Sequence, residues 1–223
     1  MMKVVCFDLD DTLYKEIDFL KSAYREVASY AYARALLPCE SYSVIYEEML
    51  AEYMKGNNAF EYLNACVGLD IPMNDYLNIY RNHKPEIYLE QSIYTTLIAI
   101  RDAGNIIGLI TDGRSVQQRN KIRALGLHEF IEEDMIVISE EFGTSKPSEE
   151  NYKYFMERFN PETEFIYVGD NPEKDFIAPN KLGWKTICLK DDGSNIHKQD
   201  FQVSSENLPD IIVPIFKEID RFI

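Results

Sequence analysis

KVVCFDLDDT, residues 3–12, reads as a buried β-strand that runs straight into a cluster of carboxylates. Its apolar run is continuous rather than alternating. That pattern belongs to a strand of a parallel sheet covered on both faces. Four later runs have the same character: NIIGLIT (105–111), MIVIS (135–139), FIYVGD (165–170) and KTICLK (185–190). Helices are expected between them. Ser115-Val-Gln-Gln118 has the form of a capping box, with Gly126 as the stop after Leu125. Ser148 is expected to open a helix reaching about Phe159. Asn171-Pro172 reads as N-cap and first residue of another helix, which Gly183 ends. The tail from Asp200 reads as a loop and a final helix from about Pro209. The alternation argues for an α/β fold with a doubly wound parallel sheet and a Rossmann-like core.

Residues 15–91 break this rhythm. No convincing strand occurs there, and apolar residues recur at helical spacing: Leu20, Tyr24, Val27 and Ala31, then Ile45, Met49, Leu50 and Tyr53, then Tyr76, Leu77 and Tyr80. The segment is expected to be an inserted helical domain, with 1–14 and 92–223 forming the α/β core. Most of the tyrosines fall in the insert. Their expected role is packing, with hydroxyls at the rim.

The chain carries 23 basic and 38 acidic residues, a formal charge of −15. That excludes the basic stripe of a nucleic-acid binder and disfavours an anionic membrane surface. With 46% hydrophobic and 27% charged residues the composition is that of a globular protein. No run reaches the ~18–20 apolar residues of a membrane helix, and no secretory signal is recognised, so a cytoplasmic protein is expected. Cys6, Cys39, Cys66 and Cys188 form no Cys-x-x-Cys pair and read as reduced thiols. His83, His128 and His197 are too dispersed for a zinc set and are expected on the surface or in loops.

Three strands end in a particular chemistry. The first ends in Asp8-Leu9-Asp10-Asp11-Thr12, the second in Thr111-Asp112-Gly113, the fourth in Gly169-Asp170-Asn171, with Asp175 close behind. Lys146 precedes Pro147 after the third strand. In an open α/β sheet these ends converge on one crevice. Crowded carboxylates raise one another's pKa unless a cation lies among them, and hard oxygen donors suit Mg²⁺. Mg²⁺ in turn suits phosphate chemistry, and a lysine and a hydroxyl can bind phosphoryl oxygens.

Four motifs in this order resemble the haloacid dehalogenase superfamily of phosphohydrolases. Asp8-x-Asp10-x-Thr12 matches the first motif, Thr111 the second, Lys146 the third, and Gly169-Asp170 with Asp175 the fourth. The resemblance implies that Asp8 is the nucleophile that forms an aspartyl-phosphate. It implies that Asp10 is general acid and then base, and that Thr111 and Lys146 complete the catalytic set. Thr111, Asp112, Gly113 and Lys146 would hold the phosphate. Asp8, the backbone carbonyl of Asp10 and Asp170 would ligate Mg²⁺, with Asp175 supporting. Asp11 is expected to be structural.

An acid at Asp10 separates phosphatases and phosphomutases from the dehalogenases of the family, whose halide leaving group needs no proton. Spacing places the insert: 101 positions separate Asp10 from Thr111, but only 35 separate Thr111 from Lys146. The insert therefore resembles the family's α-helical cap, which implies a small soluble phosphate monoester such as a sugar phosphate or a nucleoside monophosphate. Lys15, Arg25, Arg81, His83 and Lys84 are candidate substrate contacts. Relatives often carry Asn where this chain has Asp112, so either that carboxylate points away, or Arg114 or the metal offsets it, or its backbone N–H alone contributes. A Mg²⁺-dependent phosphatase, monomeric or a homodimer, is the expected protein. A phosphomutase, or a weakly catalytic regulatory protein on the same fold, are the alternatives.

Overall fold

A computed structural model describes residues 2–35 and 41–223. Cys39 lies outside the described residues. The chain runs β1 (Lys3–Phe7), α1 (Glu16–Tyr32), α2 (Tyr42–Met54), α3 (Ala59–Val67), α4 (Met73–Asn82), α5 (Gln91–Asp102), β2 (Ile106–Thr111), α6 (Ser115–Ala124), β3 (Ile136–Ile138), α7 (Ser139–Phe142), α8 (Glu150–Met156), β4 (Glu164–Gly169), α9 (Ile177–Lys181), β5 (Lys185–Leu189) and β6 (Ile211–Val213). The six strands form one parallel sheet in the order β3-β2-β1-β4-β5-β6. The chain winds outward from β1 to β3 and then returns to β4 on the other side. Strand order therefore reverses at β1 and β4, the place where open α/β sheets bind ligands.

The central strands are buried along almost their whole length, which is why they read as unbroken apolar runs. Gly108 in β2 is required by packing. A Cβ there would lie 2.6 Å from Phe155 Cε1 and 2.7 Å from Cys6 Sγ. Cys6 and Cys188 are buried free thiols and Cys66 is a partly exposed one. Among the described residues no helix is long and apolar enough to cross a membrane.

The described residues divide into two compact units, one of residues 1–17 with 88–223 and one of residues 18–87. The second holds most of α1 and all of α2 to α4, and it contains no strand among its described residues. Leu20, Tyr24, Val27, Ala31, Ile45, Met49 and Tyr76 are buried in it. Leu50, Tyr53, Leu77 and Tyr80 are only half-buried. Tyr24 packs edge-on against Tyr53 and Tyr80, and Tyr76 gives its hydroxyl to Asn64 Oδ1 at 2.7 Å. Asn58 caps α3 by accepting from the Phe60 and Glu61 amides, and Gly68 ends it in the left-handed conformation.

Several local expectations are corrected. The tail is not helical from Pro209: Ile211–Val213 is a sixth, edge strand, and a 3₁₀ turn at Phe216–Arg221 follows it. Asn171 does not cap a helix. It opens a run of turns, and α9 begins only at Ile177. The helix after Ser148 is shorter than expected, Glu150–Met156. Ser115 is the first helical residue of α6 rather than its cap, and its hydroxyl goes to Glu141. Gly126 is left-handed, as a helix stop requires. His83 is buried rather than on the surface. It is bonded to Ser22 Oγ at 2.7 Å and to Glu26.

Gly108→Ala is expected to lower the free energy of unfolding by about 1–3 kcal/mol, because Phe155 and Cys6 leave no room for a methyl group. Urea denaturation measures it. An unchanged midpoint would mean that Phe155 gives way freely.

Candidate active site

The three strand ends bring their polar residues together as the sheet reversal requires. The Asp8 amide still donates to Val168 O at 2.8 Å, which sets the Asp8 side chain just beyond the β1–β4 ladder. Asp8, Asp170 and Asp175 are buried, and one carboxylate oxygen from each lies within 4.8 Å of the others. Lys146 enters this group from the loop after α7. Its Nζ is 2.7 Å from Asp8 Oδ1, 2.7 Å from Asp175 Oδ1 and 3.0 Å from the Tyr167 hydroxyl.

Asp175 also builds the loop. Its Oδ2 accepts from the amides of Asp170 and Asn171, at 3.2 and 2.9 Å. Gly169 makes this possible, because a Cβ there would lie 2.5 Å from that oxygen. Asp175 stands in the turns before α9, not in a helix.

Asp10 is held apart from this group. Its Oδ1 accepts from Lys121 Nζ at 2.7 Å and from the Tyr14 hydroxyl, and its Oδ2 from Gln118 Nε2 at 2.9 Å. The same Gln118 nitrogen is 2.7 Å from Thr111 Oγ1. Asp11 takes the left-handed conformation and accepts from the Glu16 and Ile196 amides, a structural use of its carboxylate.

Asp112 does not face the crevice as a bare charge. Its Oδ1 accepts from the Lys146 amide at 3.0 Å and its Oδ2 lies 3.6 Å from Lys174 Nζ. The offsetting cation is thus Lys174 rather than Arg114, which reaches toward Glu140. The Gly113 amide is engaged by Ser139 Oγ at 3.0 Å, which argues against Gly113 as a free phosphate donor.

Sequence reasoning missed Tyr14, Gln118 and Lys121. It also missed the loop after β5. In that loop Asn195 Nδ2 donates to Asp170 Oδ2 at 2.9 Å and Gln199 Nε2 to Asp170 O at 2.6 Å. The one available signal was the spacing of Gln118 and Lys121, three apart on one helix face and therefore side by side. Of the candidate substrate contacts, Lys15 is bound to Asp192 and Asn195, and His83 is held inside the helical unit. Arg25 lies over the Tyr46 ring, Arg81 is half-buried and Lys84 is exposed.

Residues 5–189 match the family model for haloacid dehalogenase-like hydrolases. The chain belongs to that family. It is 30% identical to a glyceraldehyde 3-phosphate phosphatase of Methanocaldococcus jannaschii over 99% of this chain and 100% of that protein. It is 27% identical to a pyrimidine 5′-nucleotidase of Escherichia coli, over 83% of this chain and 84% of that one. Among solved structures, a magnesium-bound hydrolase of the family from Bacillus subtilis superposes with a TM-score of 0.65 at 18% identity, covering 99% and 98% of the two chains. A phosphatase of the family from Thermococcus onnurineus gives 0.62 at 20% identity, covering 99% and 97%.

Family members of this kind typically use a divalent metal, and the residues present fit one. Burial, with the charges of Asp175, Asp8 and Asp11, pushes the Asp170 carboxyl up to about 9. Burial raises Asp8 to about 6, Lys146 working against it and Asp175 with it. Burial would lower Lys146, but Asp175 and Asp8 overcome that and keep it protonated. One ammonium is therefore not enough positive charge for three carboxylates, and oxygen donors of this kind suit Mg²⁺. Asp10 differs. Burial acts to raise it, yet the Lys121 ammonium and the bonds from Lys121, Tyr14 and Gln118 outweigh that and hold it below its ordinary value.

These directions set a pH dependence. A carboxyl whose folded pKa lies above its unfolded value of about 4 adds stability that is complete below the unfolded pKa. That stability is lost as pH rises through the folded pKa. With Asp8 at about 6 and Asp170 at about 9, the metal-free protein should become less stable as pH rises across that window. Mg²⁺ should raise the melting temperature most at the alkaline end, where protons no longer compete for the carboxylates. Thermal melts of EDTA-treated protein, with and without Mg²⁺, measure both. A metal-free melting temperature flat over the window would contradict the assignment.

Proposed function

We infer that this chain is a phosphatase of small phosphate monoesters that works through an aspartyl-phosphate on Asp8 with the help of Mg²⁺. The observation that carries the reading is the separation of two carboxylates by their partners. Asp8 is paired with Lys146, and Asp10 is paired with Lys121, Tyr14 and Gln118. Two carboxylates in different surroundings can take different roles.

Asp8, on the β1 end, attacks phosphorus. The bond from phosphorus to the leaving oxygen breaks, and that oxygen takes a proton from Asp10. Asp10, now ionised, takes a proton from water, which attacks the phosphoryl group. The bond to Asp8 then breaks and inorganic phosphate is released. Lys146 offsets charge on Asp8 and on the phosphoryl oxygens, and the Thr111 hydroxyl donates to one of those oxygens. In the substrate-free protein Asp10 is paired as a carboxylate with Lys121, and it takes up one proton from solvent as the substrate binds, the proton it then passes to the leaving oxygen. An arriving phosphate dianion raises its proton affinity, which suits the acid half of the cycle. Mg²⁺, held by Asp8, Asp170 and the carbonyl of Asp10 with Asp175 behind them, would supply the positive charge that keeps Asp8 ionised and offsets the phosphate.

Residues 18–87, inserted in the sequence between the first and second motifs, are assigned the role of the family's helical cap, the unit that selects the leaving group. The substrate class follows the named relatives. A triose phosphate ranks first, because that relative aligns over the whole chain, and a pyrimidine nucleoside monophosphate ranks second. The engagement of Asp112 by Lys146 and Lys174 removes the objection that its charge would repel either one.

The test is phosphate release from glyceraldehyde 3-phosphate, from pyrimidine nucleoside 5′-monophosphates and from an aryl phosphate, with and without Mg²⁺. Turnover should require the metal. Asp8→Asn should abolish it, and Asp10→Asn should lower kcat by about 10²–10⁴-fold. Full activity in Asp8→Asn would overturn the mechanism. Group return to a sugar, dependent on a bisphosphate activator and with little free phosphate, would make the protein a phosphomutase instead.

A further inference from the structure

Gln118 and Lys121 are polar residues buried on one face of α6, each about 1% exposed. A glutamine this deep normally answers a specific hydrogen-bonding need. The Gln118 amide nitrogen is surrounded by Asp10 Oδ2 at 2.9 Å, Thr111 Oγ1 at 2.7 Å and the Asp112 carbonyl at 3.2 Å. A carboxylate and a carbonyl can only accept, so these neighbours fix the amide with its nitrogen toward them.

Two consequences follow from donor and acceptor counting. The amide has two hydrogens for three acceptors, and the two shorter contacts, to Thr111 Oγ1 and Asp10 Oδ2, take them, so Thr111 Oγ1 is the acceptor toward Gln118. The hydroxyl hydrogen of Thr111 must then point elsewhere, and it is available to a phosphoryl oxygen. On Asp10, Oδ1 already accepts from Lys121 and Tyr14, whereas among the described residues Oδ2 accepts only from Gln118. Oδ2 therefore keeps acceptor capacity that Oδ1 lacks.

We propose that Gln118 is a positioning residue of this active site: its amide bridges Asp10 Oδ2 and Thr111 Oγ1, keeps the acid–base carboxylate in register with the phosphate-binding hydroxyl, and leaves Oδ2 as the oxygen that exchanges the proton. The proposal rests on the phosphatase reading above. In the first half-reaction the proton on Oδ2 passes to the leaving oxygen as its bond to phosphorus breaks. In the second, Oδ2 takes a proton from the water that attacks the aspartyl-phosphate. Gln118 touches neither substrate nor metal in this scheme. It acts through Asp10 and Thr111.

Leaving-group chemistry separates this role from a merely structural one. An alkyl phosphate expels a poor leaving group and needs the proton from Asp10, whereas a nitrophenyl phosphate does not. The second half-reaction needs Asp10 for both. Gln118→Met keeps the length and loses the donor. It should lower kcat on an alkyl phosphate by about a hundredfold with KM little changed, the scale of loss expected from a misplaced catalytic group. On nitrophenyl phosphate it should give a rapid stoichiometric burst of nitrophenol and then slow turnover, because the phosphoenzyme forms but hydrolyses slowly. Gln118→Glu, close in size, should behave likewise, and it decides the matter if the methionine variant does not fold.

Equal losses on the two esters with no burst, or full activity in a folded variant beside an active wild type, would overturn this inference alone. A wild-type enzyme that releases phosphate from no ester would overturn the phosphatase reading and this inference with it.

Discussion

The buried ammonium of Lys146 is the charge around which the core is arranged. Its side chain is fully buried, between Asp8 and Asp175. A lone buried ammonium would be prohibitively unfavourable, and so would either carboxylate without it. The three groups therefore belong to one another, and each comes from a different strand end or its following loop. Asp175 extends the tie by accepting two backbone amides of the loop after β4. The Lys146 amide extends it again, to Asp112 at the end of β2. One ion pair thus fixes the mutual positions of the polar ends of β1, β2 and β4.

A second buried lysine, Lys121, keeps Asp10 out of that arrangement. Without Lys121, Tyr14 and Gln118, the Asp10 carboxylate would be one more negative charge beside Asp8. With them it has its own cation and its own donors. The nearness of Glu16 to Lys121, at 3.7 Å, shows how closely this second pair is shared, and burial with the charge of Asp10 raises the Glu16 carboxyl to about 8. The two lysines divide the acids of the site into two local balances. That division puts two carboxylates only two residues apart into different surroundings.

How much of this could be read in the sequence depends on how each residue announces its surroundings. The first five strands are legible because burial on both faces leaves an unbroken apolar run. The sixth is not: Ile211, Ile212 and Val213 are only three residues, they lie between Pro209 and Pro214, and Ile212 is exposed at the sheet edge. The strand-end acids are legible because topology alone brings them together. Gln118 misled for a physical reason. Ser-x-x-Gln is the pattern of a capping box, but here the glutamine turns inward to Asp10 and Thr111. Lys121 was invisible because a lysine among polar helix residues normally faces water, and nothing local reveals that its partner lies 111 positions earlier. His83 lies in a loop after α4, as one of the two expectations had it, but its burial was hidden for the converse reason. A lone histidine near a helix end usually faces solvent, and only the fold supplies Ser22 and Glu26.

The charge of −15 acquires a local meaning from these pairs. A phosphate ester is an anion, and it must enter a crevice whose four motif aspartates face two lysines. The deficit is concentrated at Asp170. Its own donors are neutral, the Asn195 amide on its side chain and the Gln199 amide on its backbone carbonyl. Neither supplies charge to set against burial and the charges of Asp175, Asp8 and Asp11, which push the Asp170 carboxyl up to about 9. A third buried lysine could balance the charge but would fill the space with a hydrocarbon stem and leave no open position for the phosphate. A small divalent cation balances more charge in less volume and keeps positions open for oxygen. With the divalent cation that the family typically uses between them, an acidic site and an acidic substrate are compatible.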